Sequence, residues 1–401
     1  MTVTLTPDRS RRTQVFLLLT ALYFAQGLPF GFFVQALPVV LRQRGYSLEA
    51  VGLTALLALP WALKFVWAPL VDRWASQRTW ILGAQLGMTL LLVGLSMLSA
   101  GQLSIPLLMV GVFGTNLLAA TQDIATDGLA VQLLPEEDRG IANGVQVAAY
   151  RLGMIVGGGA LLALFDLLNW TGAFLVMAVL VVITSLPVLG LSAARTRRAH
   201  APDAAASVLG FVRRDGALKL IFALTLYKAG EAAASAMLRP MLVDYGLTLA
   251  DIGWMLGTVG FVAGLLGALV GGWAAGRGDR RPVLVLFAVL QAGAAASYAL
   301  ISPDTTHGLM ALVVAAEHFV SGLATAALFT TMMDRCQPET ASTDYTVQAS
   351  AVVISTGTAS ALAGYSASGL GYTGHFLASA LLSLGAIAVV PWLFMATRER
   401  A

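Results

Sequence analysis

Charge is what this sequence has least of. Its 401 residues include 24 Lys and Arg and 21 Asp and Glu, so 11% are charged, where a soluble domain has about 25%. That excludes a water-soluble globule. There is one cysteine, Cys336, so no internal disulfide can form and no thiol chemistry is implied. The four histidines, at 200, 307, 318 and 375, are scattered and lack metal-ligand spacing. No Gly-x-x-x-x-Gly-Lys-Ser/Thr segment occurs, which excludes a chain that hydrolyses its own ATP. The period-two alternation of a membrane β-barrel is missing, and so is any lipidation motif.

Apolar residues are present in excess, at 58%. Runs of 18 or more recur along the chain, enough for about a dozen membrane helices of about 20 residues each. The runs fall near 14–41, 48–71, 80–100, 105–126, 140–162, 170–191, 217–241, 249–275, 282–301, 308–333, 346–369 and 371–396. The first continues too far to be a cleaved signal peptide and is expected to stay as a membrane helix. With the N-terminus cytoplasmic, inside segments hold eighteen Lys and Arg, and only Arg42, Arg44 and Arg239 fall outside. This bias predicts that both termini are cytoplasmic. The net charge of +3 is therefore a topology signal and predicts no nucleic-acid partner.

A polar stretch at 192–216 divides the runs six and six, predicting a bundle over 1–191, a cytoplasmic linker over 192–216 and a second bundle over 217–401. The halves echo each other. LRQRGYSLEAVG at 41–52 and LVDYGLTLADIG at 242–253 share a register, with Ser47 and Thr248 as helix N-caps and Glu49 and Asp251 in the first turns. Duplication of a six-helix unit explains the echo. A second echo pairs APLVDRWASQR at 68–78 with GWAAGRGDRR at 272–281.

These last segments resemble the loop between helices two and three of the major facilitator superfamily, Gly-x-x-x-Asp-Arg-x-Gly-Arg-Arg or Lys. The first copy keeps Asp72 and Arg73 with Ala68 for the leading Gly; the second keeps Gly272, Arg277, Arg280 and Arg281 with Gly276 for the Asp. The resemblance implies an all-α fold of twelve transmembrane helices in two pseudo-symmetric bundles that rock about a central cavity. It also implies a cytoplasmic gate at Asp72, Arg73 and Arg277, with Asp123 and Asp127 as pairing partners for Arg73. The stretches LYFAQGLPFGF at 22–32, LPWALKFVWAPLVDR at 59–73, TQDIATDG at 121–128, YRLGMIVGGG at 150–159 and LYKAGEA at 226–232 narrow the likeness to the branch of anhydromuropeptide permeases and acetyl-CoA transporters. Within it, GFFVQALP and ANGVQVAAYRLGM are most similar to bacterial inner-membrane permeases for ferric siderophores of the pyochelin and rhizobactin type.

Ionisable residues inside hydrocarbon are functional candidates, because burying such a charge costs roughly 2.5–3.5 kcal/mol at a helix centre. Counting along the runs puts Arg151, Lys228, Glu231 and Glu317 near mid-membrane, and Lys64, Asp123 and Asp127 toward the cytoplasmic end. Lys228 and Glu231 share a helix face. They are either a static ion pair or a proton site tuned by the lysine. Glu317, beside His318, is either a second proton carrier or a structural partner of Arg151 or Lys228. Arg151 suits a carboxylate or phenolate on a solute, or else braces Asp123 or Glu317. In the superfamily, helices one, four, seven and ten face the cavity, which makes Gln26, Gln35, Gln122 and Tyr227 candidate solute contacts.

Gly27, Pro29 and Gly31 either open helix one toward a cavity or mark a packing kink. Gly153 and Gly157 on helix five, and a stripe at 257, 260, 264, 267 and 271 on helix eight, predict close helix packing. Trp80, Trp170 and Trp392 are expected as interfacial anchors.

Asp123 and Asp127 also make the D-x-x-x-D spacing of a magnesium–diphosphate site, but the second half supplies only Asp334 at the corresponding place. An enzyme is therefore not expected, and neither a cofactor nor a resident metal is called for. The expected activity is proton-driven import of a ferric siderophore across the bacterial inner membrane, by a chain that works as a monomer in the bilayer. The alternatives are permeation of an anhydromuropeptide or other organic solute, and export.

Overall fold

The computed structural model describes residues 9–37, 41, 54–99, 104–191 and 208–395. Every regular element among them is helical. Twelve helical segments, α1 to α12, follow the apolar runs. α1 is Arg9–Gly31, continued by a π-helical turn at Phe32–Ala36. α2 is broken into Thr54–Ala58, Leu59–Leu63, Lys64–Val66 and Ala68–Arg73. α3 is Gln77–Ser99 and α4 is Ile105–Leu133. α5 begins at Glu136, loosens into a π-helical turn at Ile155–Ala160 and ends at Asn169, and α6 then runs to Leu189. α7 is Ala217–Asp244. α8 joins Leu249–Ile252, a π-helical stretch Gly253–Gly260, and Phe261–Ala275. α9 is Arg280–Ser297 and α10 is His307–Asp334. α11 starts at Ala341 and meets α12 at Gly371; α12 ends at Val389.

Two of the boundaries have one local cause. Asn169 (φ 55, ψ −171) and Gly371 (φ 67, ψ 170) leave helical space at the α5–α6 and α11–α12 joins. Two other helix starts are capped by side chains, the first of them as the sequence suggests. Thr248 Oγ1 accepts from the Asp251 N–H at 3.1 Å while Asp251 Oδ2 accepts from the Thr248 N–H at 3.2 Å, a reciprocal capping box. Asp279 caps α9 through the Arg281 N–H at 3.0 Å. Ser47 and Glu49, the first copy of the echo, lie outside the described residues, as do most of the 192–216 linker and both termini.

The chain divides into two units. The first comprises 1–133, 149–206 and 338–343; the second comprises 134–148, 207–337 and 344–401. In the first, α3 packs on α4 and α6, and α1 packs on α4, α5 and α6. α1 and α5 touch backbone to backbone. A Cβ added at Gly27 or Gly31 would run into the carbonyls of Tyr150 or Met154, and one at Gly153 or Gly157 into those of Phe24 or Leu28. Gly27 and Gly31 are thus packing positions, and Pro29 sits inside a continuous helix. In the second unit α8 packs on α10, with Gly267 and Gly271 against the carbonyls of Phe319 and Leu323. Gly257 of the same stripe faces open space and takes no part.

Eight of the helical runs among the described residues are long and apolar enough to cross a membrane. Large apolar side chains stand outward along them, among them Leu90, Val179, Leu312 and Leu381. A monomer in water does not keep so much contiguous apolar surface uncovered. Trp170 does not serve as the expected interfacial anchor. It is buried against Phe32 and Phe174, ring centroids 6.1 and 5.8 Å away, because the break at Asn169 turns the start of α6 into the core of the first unit.

Candidate functional site

Each unit buries a cluster of charged side chains among its helices. In the second unit, three helices contribute. Lys228 Nζ lies 2.6 Å from Glu231 Oε2, one turn along α7, and also donates to Thr325 Oγ1 of α10 at 3.1 Å. Ser321 of α10 donates to Glu231 Oε1 at 2.6 Å. Glu317, also on α10, accepts from Ser235 of α7 at 3.0 Å and from Tyr298, just after α9, at 2.9 Å; its Oε2 lies 2.8 Å from His318 Nδ1. These partners displace Lys228 and Arg151 as the expected structural mates of Glu317. The spacing along α7 spends the lysine on Glu231, and the hydroxyls of Ser235 and Tyr298 already hold Glu317. Tyr227 is buried and donates to the Leu284 carbonyl at 3.0 Å.

Glu231 and Glu317 line one narrow hollow, too tight to hold a water, together with Gln291 and Ser321. Lys228 balances Glu231, whereas Glu317 has hydroxyl donors and His318 about it, and both carboxylates line the same hollow.

The first unit holds a second cluster. Lys64 of α2 pairs with Asp123 of α4, so Asp123 is taken by a residue of α2 nine positions before the predicted Arg73. Asp127, one turn further along α4, accepts from Tyr23 of α1 at 2.9 Å. Trp61 donates to Asn116 at 3.0 Å, and the Trp61 ring faces Lys64 Nζ at 5.8 Å. Gln122 donates to the Leu22 carbonyl at 3.3 Å while its Oε1 has no partner; the amide of Gln26 is buried with neither end paired. Both side chains are fully buried, so these unspent donors and acceptors are enclosed between α1 and α4. Arg151 is partly buried on α5. Gln35 lies in the π-helical turn of α1, and its side chain is outside the described residues.

The residues read as a gate fall into separate arrangements. Within the first unit, Asp72 is buried at the start of α11. It accepts from the Thr343 N–H at 2.7 Å, the Thr343 hydroxyl at 2.6 Å and the Ser342 N–H at 3.3 Å. A carboxylate there answers both the unpaired N–H groups and the positive end of the helix dipole. Arg73, the next residue, is partly buried. In the second unit Arg277 lies with its guanidinium 4.1 Å from the centre of the Trp273 ring. Arg280 is the arginine of that loop that joins an ion cluster, its Nε 2.6 Å from Asp334 Oδ2, with Arg139 donating to Asp334 Oδ1 at 3.0 Å.

Sequence reasoning did not single out Gln291, Ser321, Ser235, Tyr298 or Tyr23. Polar residues in apolar runs were the available signal, but their partners sit on other helices. Lys64 was visible as a charge in hydrocarbon.

Comparison with known proteins follows the same line. The chain matches the Major Facilitator Superfamily over residues 19–349 and again over 220–401. It is 28% identical over 342 residues to the anhydromuropeptide permease of Escherichia coli K12, covering 82% of this chain and 69% of that protein. It is 24% identical over 388 residues to a putative transporter, AmpG 4, of Rickettsia conorii, covering 92% and 93%. Among solved structures, the outward-conformation FucP transporter superposes with a TM-score of 0.72 at 15% identity, over 96% of this chain and 99% of that one. The human organic anion transporter MFSD10 gives 0.72 at 14% identity, over 96% and 100%. These two show the fold. A membrane-embedded all-helical chain with buried charge in each unit, matched to one family along almost its whole length, belongs to the Major Facilitator Superfamily and is a multi-pass secondary transporter.

Proposed function

We propose that this protein is a proton-coupled importer of an organic solute in the bacterial inner membrane, working by alternating access, with an anhydromuropeptide as the first candidate solute. The observation that carries the proton part is the pair Glu231 and Glu317, lining one hollow beside a single lysine. Either carboxylate, held among hydroxyl donors, can accept a proton and so discharge the site before the carrier turns over. One proton crossing 100 mV supplies about 2.3 kcal/mol, roughly 1.7 decades of solute gradient at 1.36 kcal/mol per decade. Arg151, Gln26, Gln122 and Lys228 are the proposed solute contacts. The name of the Escherichia coli relative moves the solute reading from the ferric siderophore to the anhydromuropeptide.

The test is uptake into proteoliposomes holding the purified protein, with a pH gradient imposed. Radiolabelled anhydromuropeptide and a panel of iron-59 siderophores are offered in parallel, each with and without a protonophore. Uphill muropeptide accumulation that the protonophore abolishes is the expected result, and Glu231→Gln or Glu317→Gln should keep downhill exchange while losing accumulation. Siderophore uptake without muropeptide uptake would restore the siderophore reading, and accumulation indifferent to the protonophore would remove the proton.

A further inference from the structure

Gln291 of α9 is buried, and neither its Oε1 nor its Nε2 has a hydrogen-bond partner within the protein. A buried primary amide in that condition carries its whole desolvation penalty, so a state that pairs it is favoured. The hollow that Gln291 lines offers three polar neighbours, Glu231, Glu317 and Ser321. Ser321 is spent as donor to Glu231, and Glu317 is already surrounded by Ser235, Tyr298 and His318. Glu231 is held by the charge of Lys228 and by the Ser321 hydroxyl, and protonation removes the first of these.

The chemistry of the amide selects one form of that carboxyl group. A primary amide presents a donor and an acceptor side by side, and so does a protonated carboxylic acid; the two can close a ring of two hydrogen bonds. An ionised carboxylate only accepts and would leave Oε1 of the amide unpaired. When a proton from water bonds to Glu231, the attraction to Lys228 falls away, Lys228 keeps Thr325, and the neutral acid offers a donor beside an acceptor to the hollow it already lines. Release returns the proton to water, and no other bond changes.

We propose that Gln291 is the hydrogen-bond partner of protonated Glu231 and, as a positioning residue, sets how tightly that group holds its proton. This rests on the proton-coupled reading above. The titratable groups about the site are Tyr227 and Lys228 on α7, Tyr298 after α9, Glu317 and His318 on α10, and His375 of α12, whose ring nitrogen meets the Ala233 carbonyl of α7 at 3.0 Å.

Infrared difference spectroscopy of the full-length protein in lipid, titrated from about pH 4 to 10, follows the protonated-carboxyl C=O band directly and needs no solute. In the wild type a band should titrate that Glu231→Gln removes. Gln291→Met, which keeps the volume and removes both hydrogen bonds, should lower its midpoint by about one pH unit and raise its frequency, about the effect of one net hydrogen bond. Gln291→Ala should do the same, and Gln291→Asn should recover part of the shift. A merely structural glutamine would leave midpoint and frequency unchanged in both Met and Ala variants, and that result overturns the proposal alone. Absence of any Glu231-dependent band in the wild type would overturn the proton-coupled reading as well.

Discussion

Asn169 and Gly371 adopt the same backbone conformation at corresponding joins of the two sequence halves, φ 55 with ψ −171 in one and φ 67 with ψ 170 in the other. That region of backbone space is open to glycine and costs other residues about 1–3 kcal/mol. Asn169→Gly is therefore expected to raise the melting temperature, by about 1 kcal/mol of stability after the added chain entropy of glycine. Gly371→Ala is expected to lower it by about 1–3 kcal/mol, although the new methyl group meets no neighbour within 4 Å. Thermal unfolding in detergent checks both; equal melting of wild type and Gly371→Ala would show that the join relaxes freely.

The Lys64–Asp123 pair is buried on both sides. Removing one partner leaves a charge uncompensated, at a cost of about 3–5 kcal/mol, whereas removing both is far milder. Lys64→Met and Asp123→Asn should each reduce yield and thermostability sharply, and the double variant should recover much of the loss. A double-mutant cycle measured by thermal unfolding gives the coupling, and strict additivity of the two losses would contradict an ion pair.

Asp72 caps the start of α11 with three hydrogen bonds. Asp72→Ala is expected to cost about 1–2 kcal/mol, and Asp72→Asn less, since the amide oxygen still accepts but the charge facing the helix dipole is gone. Hydrogen exchange of the amides at 342 and 343 should quicken most in the alanine variant. Unchanged exchange there would dismiss the cap.

The Asp251 carboxyl lies below its ordinary range because the Thr248 hydroxyl and N–H bond its ionised form. A depressed carboxylate gives stability that is present above its unfolded value and lost as pH falls through the lower folded value. The stability difference between wild type and Asp251→Asn should thus be largest at neutral pH and fade in acid below pH 4. Thr248→Val should move the Asp251 titration back up, and a pH-independent difference would speak against the capping box.

Much of the architecture was legible in the sequence because hydrocarbon imposes one simple demand, a long apolar run for every crossing. The α11–α12 join fell at Gly371 where the runs part, and the Thr248 cap stands as read. Chain periodicity also brought Lys228 to Glu231, since three residues along a helix is a contact. Beyond one helix the sequence had no such ruler. It offered Lys228 or Arg151 to Glu317, and Arg73 to Asp123; the fold supplied Tyr298, Ser235 and His318 to the first and Lys64 to the second.

What the sequence determined by itself was the medium and the helical class, both set by local hydropathy. Tertiary structure decided which polar groups meet. The bond of Ser235 to Glu317 and the seat of Asp72 at the start of α11 each join helices far apart along the chain. Hydrogen bonds reach about 3 Å, so their pairing depends on helix rotation and depth, which close packing at the glycine contacts fixes and no linear pattern records.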